Sequence, residues 1–359
     1  MTIKTIYIDD DDKELKKYQR LFSEDDRSKN KFIITSINTQ QPTLSNLINE
    51  INQKKPDLIL IDFDLSKPRD NVLLGMSGTA LSTILKETIP NIPMVLFTRK
   101  GVFNVGKYSR QILTSLDGLF YKNEVFKTDQ NTLDDLYELA MGFKKLRDKP
   151  IKKWNDLLAA LKAPKSAFDS LKLSNPPQFL DNTSSLSDIF KWIQEVLLNY
   201  PGILYDSIHA ATFLGLSENE FLKDETNKIF GKAKYSGIFL PTEDRWWKSE
   251  LRSIAISKMI KKEKAMALHL GFPVALERIK KTPVELSKCV HSNEVSAEWV
   301  CYILNKPVKI KYTLLYRPDS RPNVMYEARV SFKAIRTSNE VNGELFDPLG
   351  KEMLKEIRD

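Results

Sequence analysis

The sequence predicts a five-stranded parallel, doubly wound α/β domain followed by an α-rich domain with a minor β component. Length is the first reason: 359 residues exceed one ordinary core and suit two. The second is a set of five short apolar runs, each followed by a helical period, that fills residues 1–148. The third is that this alternation stops at Lys149-Pro150, after which helical spacing dominates.

The apolar runs lie at 4–8, 31–37, 58–61, 94–97 and 118–121, and the helical periods at 14–22, 44–53, 78–88, 108–116 and 131–146. Strands that alternate with helices pair in parallel, because each helical crossover returns the chain to the same end of the sheet. The run LILI at 58–61 is apolar at every position, as a strand covered on both faces requires. In such a sheet the ligand site lies beyond the carboxyl ends of the strands. The residues that follow each run are therefore the site candidates. They are Asp9, Asp10, Asp11 and Asp12 after the first run, Asp62 after the third, Thr98 after the fourth and Lys122 after the fifth. Clustered carboxylates repel one another unless a cation joins them, and an all-oxygen donor set favours Mg²⁺. A lysine and a hydroxyl beside them suit the oxygens of a phosphoryl group.

In order and context these residues resemble the receiver domain of two-component response regulators, over residues 3–147. The resemblance implies a flavodoxin-like fold and a phosphorelay in which a histidine kinase or phosphotransfer protein is the donor. It implies Asp62 as the phosphoacceptor, with Asp9, Asp10 and Asp62 holding Mg²⁺. Lys122 then pairs with the phosphoryl group, and Thr98 moves to bond it. The four-aspartate run also allows Asp10 and Asp11 as the acidic pair. The chemistry implied is nucleophilic attack by a carboxylate, carried out by the receiver itself. Three positions depart from the family pattern. Asn123 follows the lysine where proline is usual, Leu119 stands where an aromatic switch is usual, and the large Arg99 follows Thr98. Asp64 adds a carboxylate beside Asp62, and 66–76 reads as an extended loop. Without an aromatic switch, the signal has to leave by backbone movement toward the helix at 131–146. The expected output is a changed contact, such as a homodimer, on the face made by 108–116, 118–121 and 131–146.

The domain boundaries expected are 1–148 for the receiver, 149–185 for a linker with a connecting helix, and 186–359 for an α-rich effector of unknown function. Helical patterns fall at 151–161, 186–198, 203–214, 219–223, 247–260 and 350–357, while 308–315 alternates like a strand. The segment 245–281 carries ten basic and three acidic residues, so much of the net charge of +8 sits there. Arg245, Lys248, Arg252, Lys258, Lys261 and Lys262 are its candidate nucleic-acid contacts. Trp246 and Trp247 either stack on bases or belong to the core. Three outputs follow: a protein–protein contact, a nucleic-acid-binding regulator, or a receiver-regulated enzyme. For the last, no P-loop, metalloprotease or nucleophile–base motif is present to name the reaction.

Other signals are weaker. Residues 210–221 have the spacing of a helix–turn–helix unit, but Glu218, Glu220, Asp224 and Glu225 in the following helix repel DNA. Cys289, His291 and Cys301, with His269 upstream, match no familiar zinc spacing and read as buried thiols. Arg317, Arg321, Arg329 and Arg336 cluster among prolines and acids, as in a salt-bridged loop. Two cysteines do not make a disulfide framework, and no apolar run reaches the ~18 residues of a membrane span. With no apolar leader in MTIKTIYIDDDD, the expected location is the cytoplasm, without a membrane partner.

Overall fold

The structure, a computed structural model, describes residues 1–39, 43–65, 77–100, 116–128, 131–177, 185–199, 201–318 and 327–358. The chain forms two compact units that interleave along the sequence. The first comprises Met1–Leu157, Pro177–Lys191 and Gly237–Thr242, and the second Leu158–Pro176, Trp192–Ser236 and Glu243–Asp359.

The first unit is built on strands β1 (Ile3–Asp9), β2 (Phe32–Asn38), β3 (Leu58–Ile61), β4 (Met94–Thr98) and β5 (Gly118–Tyr121). All pair in parallel, in the order β2-β1-β3-β4-β5. This is the doubly wound sheet that the alternation predicts. The order in which strands are added reverses at β1, so a crevice opens between the ends of β1 and β3. All four residues of β3 are fully buried, which explains its unbroken apolar run. The flanking helices are α1 (Asp12–Glu24), α2 (Leu44–Lys54), α3 (Gly78–Thr88) and α4 (Thr132–Asp148). Asp11, Thr43 and Ser77 cap the first three by accepting backbone N–H groups of Lys13, Asn46 and Ala80. The helical period at 108–116, apart from Leu116, and the loop at 66–76 lie outside the described residues.

One face of the sheet is aromatic. Tyr7, Tyr18 and Phe97 meet edge to face at 5.2–6.0 Å, and Phe22 joins them against Phe126 at 4.8 Å. On the other face Ile6, Ile8, Ile59 and Ile61 pack with Leu81 and Leu85 of α3. Two later segments of chain complete this unit, on α4. Phe190, from α5 (Leu186–Trp192), and Phe239 lie 5.3 and 5.5 Å from the ring of Phe143. At Gly142 any Cβ would collide with the Phe239 ring. Phe239 itself has φ 54°, a left-handed conformation that its bulk disfavours and that its packing must hold.

The second unit is helix-rich with small sheets, as expected. Strand β6 (Leu204–Tyr205) leads into α6 (Ser207–Phe213), which Asp206 caps. β6 pairs antiparallel with β7 (Trp246–Trp247), which runs directly into α7 (Lys248–Lys258); α8 (Leu268–Lys280) follows. The remaining strands pair as β8 (Trp299–Cys301) with β9 (Lys306–Val308), and β10 (Thr313–Leu315) with β11 (Arg329–Ser331). The alternating stretch at 308–315 is thus two short strands, divided by a 3₁₀ turn at Ile310–Tyr312.

Two side-chain assignments change here. Trp247 belongs to a strand rather than to the helix, and both tryptophans are 1% exposed. Trp246 packs on Phe221 and Trp247 on Tyr235, so neither indole offers a face to a base. Residues 210–221 are core packing: Ala210, Ala211, Leu214 and Phe221 are fully buried. Glu220, also buried, binds Lys223 and Lys280 at 2.6 Å each. Cys289 and Cys301 are free buried thiols whose sulfurs accept N–H groups of Lys309 and Ser331.

Candidate functional site

The carboxyl ends of β1, β3, β4 and β5 enclose a cavity of about 210 Å³, lined by Asp9, Asp11, Glu14, Asp62, Asp64, Thr98, Arg99 and Lys122. Parallel pairing accounts for the convergence. Asp62 N–H donates to Ile8 O at 2.9 Å, and Lys122 N–H to Thr98 O at 2.8 Å, so each side chain is placed by its neighbour's strand. Asp62, Thr98 and Lys122, predicted from three separate runs, stand on one wall with Asp9. Asp10, the other aspartate of the first pair, is buried and is not among the lining residues. Asp11, from the alternative register, is.

The centre of the site is the Lys122 ammonium. Its Nζ lies 2.6 Å from Asp62 Oδ1 and 2.8 Å from Asp9 Oδ2. The rings of Tyr7 and Tyr18 stand 5.3 and 5.7 Å from the same nitrogen. Asp9 also accepts the Tyr7 hydroxyl and the backbone N–H of Asp11. Asp62 Oδ2 accepts the backbone N–H of Asp64 at 3.0 Å. Both carboxylates are therefore locked in orientation.

The electrostatics follow from burial and crowding. Burial pushes the Asp62 carboxyl above the usual range; Lys122 opposes this, and the Asp9 charge adds to it. Burial, and then the Asp9 charge, hold the Tyr7 hydroxyl protonated far above its ordinary value. Tyr18 is pushed up to about 12, chiefly by burial. At the mouth, Arg99 pairs with Glu14 at 2.8 Å and is largely exposed. Among the described residues no three His, Cys, Asp or Glu side chains are grouped so as to hold a metal ion. The carboxylates of Asp9, Asp11, Glu14, Asp62 and Asp64 share the open cavity with Thr98, Lys122 and Arg99.

Sequence reasoning missed Gly78, the first residue of α3. Its N–H donates to Phe63 O at 2.8 Å, and any Cβ there would strike the carbonyl of Asp62. The glycine lets α3 press on the loop that carries Asp62. A glycine just after a serine cap was the only signal.

The basic segment does not form one uncompensated face. Arg245 pairs with Glu243 at 3.3 Å and Arg278 with Glu263 at 2.9 Å, while Lys248 lines a cavity. Arg252, Lys258, Lys261 and Lys262 are exposed, with no ion pair among the described residues.

No family model and no curated protein matches the chain. Solved structures do. A Francisella response regulator receiver domain is 20% identical, matching 41% of this chain and 99% of its own with a TM-score of 0.28. The receiver domain of NtrX from Brucella abortus is 17% identical over 38% of this chain and 98% of its own, with the same score. The response regulator TrrA from Thermotoga maritima, solved in complex with Mg²⁺-BeF, is 12% identical over 38% and 98%, again at 0.28.

Proposed function

We propose that this chain, whose first unit has the fold of a response-regulator receiver domain, is a regulator phosphorylated on Asp62. The observation that carries the reading is the Lys122 ammonium held between Asp62 and Asp9 on a cavity that Thr98 also lines. An Asp62 oxygen attacks the phosphorus of a phosphohistidine or an acyl phosphate. As the new O–P bond forms, the bond to the leaving group breaks. The electron pair departs with the imidazole, which takes up a proton, or with the released carboxylate. Lys122 then exchanges a carboxylate partner for a phosphoryl oxygen, and Thr98 supplies a hydroxyl to another.

The residues fit Mg²⁺. It is a hard ion that keeps several waters and needs only one or two carboxylates, so the carboxylates on this open cavity suffice without a third protein ligand. Asp9 and Asp62 would hold it, with Asp11 better placed than Asp10 to join them. When bound, the ion neutralises charge on the transferred oxygens. Acetyl phosphate with Mg²⁺ should label the protein, and Asp62→Asn should abolish labelling. Labelling that survives this change contradicts the assignment. Mg²⁺ affinity should fall more in Asp11→Ala than in Asp10→Ala.

The output we infer runs through α4. Its Gly142–Phe143 face already carries Phe239, Phe190 and the Thr242–Asp135 hydrogen bond, so a homodimer on that face would have to displace them. Release of the strained Phe239 on phosphorylation is the favoured form. Amide exchange at 237–242 should then rise with beryllofluoride, and unaltered exchange contradicts it. A nucleic-acid output rests on Arg252, Lys258, Lys261 and Lys262, whose charges are uncommitted among the described residues. Among the described residues no helix is long and apolar enough to cross a membrane.

A further inference from the structure

The second unit holds a cleft of about 100 Å³ that the phosphoryl chemistry does not use. Its walls are aromatic and come from four places in the chain: Tyr205 of β6, His209 and Phe213 of α6, Lys248 at the start of α7, and Trp299 of β8. Asp206 orients the His209 ring, with Nδ1 2.8 Å from Oδ1, while the His209 N–H donates to the same oxygen at 2.8 Å.

Two polar side chains in this cleft have no hydrogen-bond or ion-pair partner among the described residues. The Lys248 backbone N–H donates to Ile203 O at 3.0 Å, but its ammonium makes neither kind of bond; Nζ lies 5.2 and 5.8 Å from the ring centres of Tyr205 and Phe213. Burial, helped by nearby Arg252, makes its ammonium easier to deprotonate than an ordinary lysine. Thr212 is 1% exposed, lines the same cleft, and its buried hydroxyl has no hydrogen-bond partner. Lys248 is only half-buried, but the Thr212 hydroxyl is fully buried, and a buried polar group left unsatisfied calls for an explanation. The two acids on the rim do not supply it. Glu298 accepts the Ile310 N–H at 3.0 Å, and Glu327 pairs with Arg329.

We propose that this cleft binds a small planar monocarboxylate, with Lys248 on the carboxylate, Thr212 bonded to one of its oxygens, and Tyr205, Phe213 and Trp299 around its apolar body. The ligand's charge follows from the cleft. A cationic ligand meets the Lys248 charge, and a phosphate dianion finds one ammonium and no arginine fork in the lining to balance its two charges. A neutral apolar ligand leaves both polar groups as they are. The scale is that of one ring, since a closed dry cavity about half again as large accepts benzene and this cleft is open on one side.

The test uses the full chain and three probes of one shape: benzoate, benzamide and benzylammonium, followed by calorimetry and ligand-observed NMR. Benzoate should bind saturably, and roughly tenfold or more tightly than either other probe. Lys248→Met should weaken benzoate by about tenfold, and Thr212→Val by severalfold, with circular dichroism unchanged. Lys248→Gln serves if the methionine variant does not fold. The proposal is overturned by no saturable benzoate binding up to ~10 mM, by benzamide binding equally well, or by benzoate affinity indifferent to the charge at 248.

Discussion

Lys122 and Lys248 each line one of the two cavities described above, and they are held in opposite ways. Lys122, at the end of β5, is gripped by two carboxylates within 2.8 Å. Lys248, at the start of α7, faces two aromatic rings and has no carboxylate partner among the described residues. A paired buried ammonium is compensated, and in the proposed reaction it changes partners when a new anion arrives. A half-buried one without an anion partner carries part of its desolvation penalty, and an arriving anion would reduce it. On the two proposals the same side chain serves group transfer in one unit and binding in the other.

Substitutions that remove each charge should separate the two cases by sign. The largest effect belongs to Lys122→Met. It leaves Asp9 and Asp62 as crowded, uncompensated carboxylates and should cost about 3–5 kcal/mol of stability. Millimolar Mg²⁺ should restore part of this, so urea unfolding with and without the ion is the measurement. If stability is unchanged, the pair is not coupled as drawn. Gly78→Ala comes next. It forces a Cβ onto the carbonyl of Asp62 and should cost about 1–3 kcal/mol, with slower phosphoryl uptake at unaltered Mg²⁺ dependence. Lys248→Met is the smallest and the opposite. Exchanging a half-buried ammonium with no anion partner for an apolar side chain of similar length should leave stability unchanged or raise it by at most about 1 kcal/mol, read in Tm. A clear loss instead would show that Lys248 has a compensating partner in the folded protein.

The two sites also differ in how readable they were. Parallel topology brings every strand's carboxyl end to one edge, so Asp9, Asp62, Thr98 and Lys122 were visible as whatever follows each apolar run. Within that site, which aspartates reach the wall depended on where β1 stops and α1 is capped. Four consecutive aspartates carry no period to show it. The second cleft has no such rule. Tyr205, Thr212, Lys248 and Trp299 are drawn together by short strands and helices whose packing no periodicity encodes. Lys248 read as one more cation in a basic segment, and only the fold removes it from that face. Trp247 misled for a related reason: its spacing fits the apolar side of α7, but pairing with Leu204 places it in β7. The interleaving of units was invisible as well, because nothing in the residues 237–242 announces that Phe239 packs on α4.

The measurement that bears most directly on the central claim is location of the acyl phosphate. Protein treated with acetyl phosphate and Mg²⁺ is trapped with borohydride, which reduces an aspartyl phosphate to an alcohol, and is then digested for tandem mass spectrometry. The account predicts conversion at Asp62 alone, lost in Lys122→Met, with Asp9, Asp11 and Asp64 intact. Conversion at Asp64 or Asp11, or none while the protein is folded and Mg²⁺ is bound, would contradict it.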